Sequence, residues 1–144
     1  MNKVRQLLGV KGKQIYSISK DSTVMDGLAR MAEKRIGALL VMEGEILIGI
    51  FTERDLARRV SLVGKQPEKT YIGEVMTKEL ITIDADQSVN ECMALMTEKR
   101  IRHLPVMDDG QLVGLISIGD VVKDVVEELE HLVKQLQDYI TGSR

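Results

Sequence analysis

The stretch Glu33-Lys34-Arg35-Ile36 returns 65 residues later as Glu98-Lys99-Arg100-Ile101. Around it, residues 16–60 align with residues 81–125 without a gap, and 16 of these 45 positions are identical. Unrelated segments of this composition would agree at about one position in fifteen to twenty. The sequence therefore contains an internal repeat, two copies of one structural unit.

Each copy predicts the same order of secondary-structure elements. A short alternating stretch, residues 16–18 in the first copy, indicates a brief strand. A hydroxyl residue followed three positions later by a carboxylate then predicts a helix start, at Thr23 and at Ser88. Two apolar runs separated by a polar turn indicate a hairpin, and a second helix is predicted to start at Thr52 or Ser117. The predicted unit is β-α-β-β-α.

Pro105 lies in the first apolar run of the second predicted hairpin. Proline has no backbone N–H and cannot donate to a strand ladder. We therefore expect this position at a sheet edge or at the start of a strand.

The same reading predicts the boundaries of the two copies. We expect the first unit over residues 14–60, a linker over 61–75, the second unit over 76–126, and a C-terminal helix and tail over 127–144. Residues 61–70 are polar and contain a glycine and a proline, which is typical of a linker. From Val122 to Tyr139, apolar residues recur every three or four positions. This stripe predicts a helix that packs on the body of the protein or pairs with another chain.

Composition excludes several classes of function. The chain has 144 residues and a net charge of −2, with 44% hydrophobic and 29% charged residues, as in globular proteins. It has no basic block and few aromatic residues, so we expect no nucleic-acid partner. No apolar run is long enough to span a bilayer or to form a signal peptide, and Cys92 is the single cysteine. We therefore expect a cytoplasmic protein without a membrane partner.

The sequence also argues against catalysis. It has two histidines, His103 and His131, and no combination of nucleophile, base and orienting residue. It contains no glycine-rich phosphate loop or dinucleotide fingerprint, and no metal-ligand spacing. We therefore expect no enzyme activity, no catalytic cofactor and no metal site.

Two equivalent strand-to-helix junctions are the candidate functional features. They run from Gly49 to Asp55 and from Gly114 to Asp120, and share the order glycine, two apolar residues, a hydroxyl, two variable residues and aspartate. Such a junction is compatible with an ordinary capping box. It is also compatible with a ligand site, because a helix N-terminus favours phosphate and an ionised aspartate accepts hydrogen bonds from ribose hydroxyls.

The duplicated unit, its two junctions, the run Phe51–Leu56 and the segment Arg-His-Leu-Pro-Val at 102–106 resemble the cystathionine-beta-synthase (CBS) domain family. In particular, the chain resembles small bacterial proteins that consist of one CBS pair. The resemblance implies an α+β fold with two β-α-β-β-α units related by pseudo-two-fold symmetry, plus an extra C-terminal helix. It also implies two clefts between the CBS motifs that bind AMP, ADP, ATP, NAD or S-adenosylmethionine, and a disc-like homodimer.

The resemblance assigns nucleotide-binding roles by position. Thr52 and Asp55 would serve one cleft, and Ser117 and Asp120 the other. Family sites often carry basic groups just before the middle strand, a place taken here by Arg102 and His103. Because the first copy has Gly37 and Ala38 there, we expect the two clefts to differ, with phosphate bound most tightly beside His103.

Three further assignments are open. Arg54 is a candidate phosphate contact or an exposed surface residue. Ile18 and Ile83 are candidates to face the adenine, or they pack in the core. His103 is also compatible with a structural role at a strand end.

These expectations define a non-catalytic ligand-sensing module that binds AMP, ATP or NAD as a regulatory ligand and acts on an effector protein that the sequence does not identify. The alternative is an interaction or scaffold protein with vestigial clefts, acting through its C-terminal helix.

Overall fold

The computed structural model describes residues 2–12 and 14–142, which form two compact units. One consists of residues 15–81, and the other combines the described residues of 2–14 with residues 82–142. In chain order the elements are α1 Val4–Lys11, β1 Ser17–Ile18, α2 Val24–Lys34, β2 Ala38–Glu43, β3 Ile46–Thr52, α3 Glu53–Asp55 continued by a π-helical turn Leu56–Ser61, a 3-10 turn Pro67–Lys69, α4 Ile72–Val75, β4 Ile83–Asp84, α5 Val89–Lys99, β5 His103–Asp108, β6 Gln111–Ser117 and α6 Ile118–Thr141.

Each unit contains a three-stranded sheet, ordered β1-β2-β3 in one and β4-β5-β6 in the other. In both sheets the short first strand runs parallel to the middle strand, which forms an antiparallel hairpin with the last strand. Both hairpins carry a register shift at the same place, between Val41 and Met42 and between Val106 and Met107. The predicted β-α-β-β-α order and the α+β fold class are confirmed.

The helix starts follow the predicted capping boxes. Thr23 accepts a hydrogen bond from the N–H of Asp26, and Ser88 accepts one from the N–H of Glu91. Each helix ends at an arginine in the left-handed conformation, Arg35 or Arg100. The repeated sequence thus encodes both ends of these helices.

The expected linker over 61–75 is wrong for its last part. Residues 72–75 form α4, and Ile72 and Val75 are buried in the core of the 15–81 unit beside Phe51 and Val60. Burial of an apolar side chain contributes about 1.5–3 kcal/mol. This segment is therefore an integral part of the first unit.

The expected boundaries also leave out the N-terminal segment, which belongs to the same unit as the second copy. The N–H of Val4 donates to the carbonyl of Gln87 at 2.9 Å, and Arg5 forms two hydrogen bonds with Asp108, of 2.8 and 3.1 Å. Leu8 is buried against this unit. Because these contacts join segments that are far apart in sequence, no local sequence pattern predicts them.

Pro105 lies in the middle strand of its sheet, so the edge or strand-start expectation is wrong. In the first copy, the equivalent Leu40 donates its N–H to the carbonyl of Tyr16, just before β1 begins. Pro105 cannot donate this hydrogen bond, and β4 begins one residue later in its repeat than β1, at Ile83, which pairs with Val106.

Helix α6 is continuous over 24 residues, from the second junction to Thr141. An apolar stripe on it is exposed and consists of Val122, Val126, Leu129, Leu132, Val133, Leu136, Tyr139 and Ile140. We refer to these eight residues as the α6 stripe. Among the described residues, no helix combines the length and the apolar character required to cross a bilayer.

Candidate functional site

The glycine that opens each junction allows a close approach by another segment. A Cβ atom at Gly49 would lie 2.7 Å from Met76 Sδ and 3.0 Å from the carbonyl oxygen of Thr77. A Cβ atom at Gly114 would lie 2.7 Å from Leu8 Cδ2. These distances are too short for real contacts, so the glycines let α1 and the segment after α4 reach the junctions.

The junction of the 15–81 unit is closed around Asp55. Its Oδ2 accepts hydrogen bonds from the N–H of Thr52, at 3.0 Å, and from the Thr52 hydroxyl, at 3.3 Å. Its Oδ1 accepts a hydrogen bond of 2.8 Å from the Thr77 hydroxyl and lies 3.8 Å from Arg59 Nε. Asp55 is 4% exposed, so its carboxylate is occupied by partners within the unit.

Thr77 is held at this junction by the backbone. Its N–H donates to the carbonyl of Ile50 at 2.8 Å, and its carbonyl accepts from the N–H of Ile50 at 3.0 Å. Arg59 fixes the neighbouring backbone by donating to the carbonyl of Met76 at 2.9 Å. The closure of Asp55 is therefore rigid.

The junction of the other unit has the same cap and a different closing group. Asp120 Oδ2 accepts from the N–H of Ser117, at 2.8 Å, from the Ser117 hydroxyl, at 3.0 Å, and from Lys11 Nζ, at 2.5 Å. Oδ1 accepts no hydrogen bond from the part of the chain that the structure describes. The Asp120 side chain is 23% exposed, so this carboxylate has an oxygen available to a ligand.

Lys11 donates hydrogen bonds to two acceptors, and Thr77 donates hydrogen bonds to the equivalent two acceptors in the first unit. Its ammonium group donates to the carbonyl of Leu115 at 2.6 Å, and Leu115 is the counterpart of Ile50 at the repeat spacing of 65. It also donates to Asp120, the counterpart of Asp55. One flexible charged side chain thus stands where the first unit has a backbone N–H and a neutral hydroxyl.

Basic groups lie at one junction and are absent from the equivalent positions of the other. His103 opens β5 and pairs across the sheet with Ser117, while the carbonyl of the exposed Arg102 accepts from the N–H of Ile118 at 2.8 Å. In the first unit, the residue that pairs with Thr52 is Ala38. The structure therefore brings Ser117, Asp120, His103 and the backbone of Arg102 together around the start of α6.

Burial and the neighbouring charges both shift the pKa of His103. Burial lowers the pKa of His103 below its usual 6.5, and the positive charges of Lys11 and Arg102 lower it further, while Asp120 acts in the opposite direction. The imidazole is therefore neutral at pH 7 when no anion is bound.

The carboxyl of Asp120 is held ionised. Burial raises its pKa, but hydrogen bonds from Lys11 and Ser117 outweigh that effect and lower the pKa below its usual 3.8. An ionised carboxylate is an acceptor only, which suits it to ligand hydroxyl groups.

The other candidate residues lie in different environments. Ile83 is 2% exposed, as expected for the alternative in which it packs in the core. Ile18 is half-buried against the core of the 15–81 unit. Arg54 is exposed in the first turn of α3. Among residues 2–12 and 14–142, no group of three or more histidine, cysteine or acidic side chains is placed to hold a metal ion.

Sequence reasoning missed Lys11 and Thr77. A signal was present, because the repeat spacing of 65 extends upstream of the aligned segments and matches Leu7 and Val10 with Ile72 and Val75. These matched residues lie on α1 and α4. Extending the alignment would have identified α1 and α4 as equivalent elements, but not that α1 belongs to the unit of the second copy.

The family model for the CBS domain matches residues 7–62 and 72–127. The chain therefore belongs to the CBS-domain family, and it contains two CBS repeats. Both matches begin in the segments that close the junctions, α1 and α4. The family consists of regulatory modules of the signal-transduction type.

The chain is similar to several CBS-domain proteins. It is 49% identical to a solved CBS-domain protein from Burkholderia ambifaria MC40-6, with a TM-score of 0.85 and coverage of 88% of this chain and 95% of that one. It is 42% identical over 127 residues to the mitochondrial CBS domain-containing protein CBSX3 of Arabidopsis thaliana, covering 85% of this chain and 62% of that protein. The chain thus spans less than two thirds of the length of the plant relatives it matches.

A further structural neighbour is an oligomer. The hexameric CBS-CP12 protein from bloom-forming cyanobacteria is 27% identical to this chain, with a TM-score of 0.75 and coverage of 88% of this chain and 74% of that one. Oligomerisation therefore occurs in a protein of similar fold.

Proposed function

We propose that this protein is a non-catalytic ligand-sensing module that binds an adenosine-containing nucleotide such as AMP, ATP or NAD. The ligand binds at the junction between β6 and α6, with its ribose on Asp120. Binding regulates an effector protein, and the nucleotide is a signal that is not consumed.

The observation that carries this proposal is the difference between the two junction carboxylates. Asp120 is ionised, partly exposed, and has one oxygen that accepts no hydrogen bond from the described residues. The ribose of a nucleotide presents two adjacent hydroxyl donors to such a group. Asp55 is buried and occupied on both oxygens, so it acts as a structural cap.

The basic residues support a phosphorylated ligand. The exposed side chain of Arg102 and the imidazole of His103 lie at the start of β5, opposite the Ser117 cap. Arginine binds phosphate through paired N–H donors, and histidine gains a proton when an anion lies beside it. A nucleotide with its ribose on Asp120 would place its phosphates among these groups.

The mechanism is thermodynamic linkage. A nucleotide that binds one conformation of the protein more tightly shifts the population toward that conformation, by no more than the difference in its two affinities. The effector reads this shift. Its contacts with the nucleotide-bound conformation define the signal.

Melting temperatures measured with AMP, ADP, ATP, NAD, S-adenosylmethionine and GMP test this function. A ligand at about a hundred times its dissociation constant adds about 2.7 kcal/mol of stability. For a chain of this length, we expect a shift of about 5–10 °C with adenosine ligands and none with GMP. No shift with any of them, on protein shown to carry no co-purified nucleotide, would refute the proposal.

The α6 stripe favours a second role in self-association. Its residues recur at the a, d and e positions of a heptad, which buries a broad face between paired helices. The eight residues are 45–83% exposed, which leaves a continuous apolar face without a partner among the described residues. We propose a homodimer that pairs α6 with α6 of a second copy. In the alternative scaffold function, this helix acts without any nucleotide.

A further inference from the structure

We infer that Lys11 is a specificity-determining residue of the β6–α6 junction, and that its ammonium group selects ligands that carry phosphate. The inference rests on the proposed function and adds the N-terminal helix α1 to the site. Ser117 holds the Asp120 carboxylate that faces the ribose, and Lys11 donates to a phosphate oxygen of the same ligand.

The ammonium group has a donor left for this purpose. A lysine carries three N–H donors, and two of those on Lys11 are used by Asp120 and by the carbonyl of Leu115. The side chain is 33% exposed, so the third donor can reach a ligand. Lysine binds phosphate as a point charge, without the fixed geometry that arginine demands.

The position of Lys11 within the site agrees with this role. Asp120 and Ser117 cap the first turn of α6, and His103 pairs across the sheet with Ser117. Lys11 approaches the same carboxylate from α1, which is fixed to this unit by the hydrogen bonds of Val4 and Arg5. Its charge therefore adds to that of Arg102, and both charges act on the neutral imidazole of His103.

Comparison with the other repeat shows whether the hydrogen bonds that Lys11 makes at the junction require its charge. At the repeat spacing of 65, Lys11, Arg102 and His103 correspond to Met76, Gly37 and Ala38. None of the three basic residues therefore occurs at the equivalent position of the closed junction. In that unit, Thr77 donates the hydrogen bonds to the equivalent acceptors while Arg59 lies 3.8 Å from the carboxylate, so these hydrogen bonds do not require a lysine.

Calorimetric titrations with AMP and with adenosine test the inference. They are carried out on the wild type, Lys11→Met, Lys11→Arg and the control Lys123→Met. Lys123 is an exposed lysine on α6, three residues after Asp120, so this control removes an equal charge that does not donate to Asp120. Melting temperatures of all four proteins show that each variant is folded.

We expect Lys11→Met to weaken AMP binding by about tenfold or more, the scale of a hydrogen bond between charged groups, and to change adenosine binding by less than about threefold. Lys11→Arg should keep most of the preference for AMP, and Lys123→Met should keep all of it. Equal losses for AMP and adenosine in Lys11→Met, or no loss, would overturn the phosphate role while leaving the proposed function intact. A wild type that binds neither compound would overturn both.

Discussion

The Thr77 hydroxyl donates a 2.8 Å hydrogen bond to Oδ1 of the buried Asp55 carboxylate. Through this contact, the segment after α4 seals the first junction, and the backbone pairing of Thr77 with Ile50 makes the seal rigid. The second junction is sealed by a lysine side chain, which has rotatable bonds and a net charge. The two repeats thus share a sequence motif and differ in the exposure of its carboxylate, 6% for the Asp55 side chain and 23% for that of Asp120.

Replacing Thr77 with valine should destabilise the protein by about 1–3 kcal/mol, because a buried carboxylate oxygen then loses its hydroxyl donor. Urea denaturation followed by circular dichroism measures this loss. The matched control is Thr97→Val on the exposed surface of α5, where the hydroxyl bonds the carbonyl of Met93. That control should change stability by less than about 0.5 kcal/mol. Equal effects of the two substitutions would show that Thr77 does not seal a buried group.

The two junction glycines should differ in their tolerance of alanine. A methyl group at Gly49 would approach a backbone carbonyl as well as Met76, so we expect Gly49→Ala to cost about 1–3 kcal/mol. At Gly114 the nearest atoms belong to the flexible end of Leu8, which can move aside. Gly114→Ala should therefore cost less in the same denaturation experiment. The reverse order would contradict the assigned packing at the two junctions.

The proton affinity of His103 should report ligand binding. Because its pKa is lowered in the folded protein, the unfolded chain takes up this proton first as the pH falls below about 6.5. The contribution of His103 to stability should therefore decrease from pH 6.5 downward, until the folded protein is also protonated. NMR titration of the imidazole should give a pKa below 6.5 in the free protein.

AMP should raise that pKa, because a phosphate beside the imidazole favours its protonated form. Removing the charge of Lys11 in Lys11→Met should also raise the pKa of His103 in the free protein. If saturating AMP leaves the pKa of His103 unchanged, the phosphate does not lie beside the imidazole.

Self-association through the α6 stripe can be disrupted by charge. Leu129→Glu together with Leu136→Glu places four carboxylates in a paired interface and should convert a dimer into a monomer, because burying unpaired charge is costly. Size-exclusion chromatography with light scattering measures the mass. The control is Glu127→Gln, a substitution on α6 outside the stripe, which should leave the mass unchanged. A dimer that survives the double substitution would show that another surface carries the association.

Local patterns in the sequence were sufficient to predict most of each unit. The hydroxyl and carboxylate at Thr23–Asp26 and Ser88–Glu91 act within four residues, so the sequence predicts these helix starts directly. The hairpins follow from two apolar runs and a turn in the same way. The duplication adds an independent check, since each copy predicts the other.

Local sequence patterns could not predict the contacts between segments that are far apart in sequence. The unit that contains α6 also contains α1, and Lys11 contacts Asp120 although the two are 109 positions apart in sequence. The seal on Asp55 likewise depends on the backbone path of residues 76–77 and on Gly49 allowing it to pass. For this reason, the sequence assigned a ribose contact to both aspartates, while the structure shows hydrogen bonds to both oxygens of Asp55 and only to Oδ2 of Asp120 among the described residues.

Calorimetric titration of AMP into the wild type and into Asp120→Asn tests the central claim most directly. The account predicts about one AMP bound per chain in the wild type. It also predicts an affinity at least about tenfold weaker in Asp120→Asn, because the amide lacks the charge that strengthens hydrogen bonds from the ribose. Unchanged affinity in a folded Asp120→Asn protein, or no binding of AMP to the nucleotide-free wild type, would contradict it.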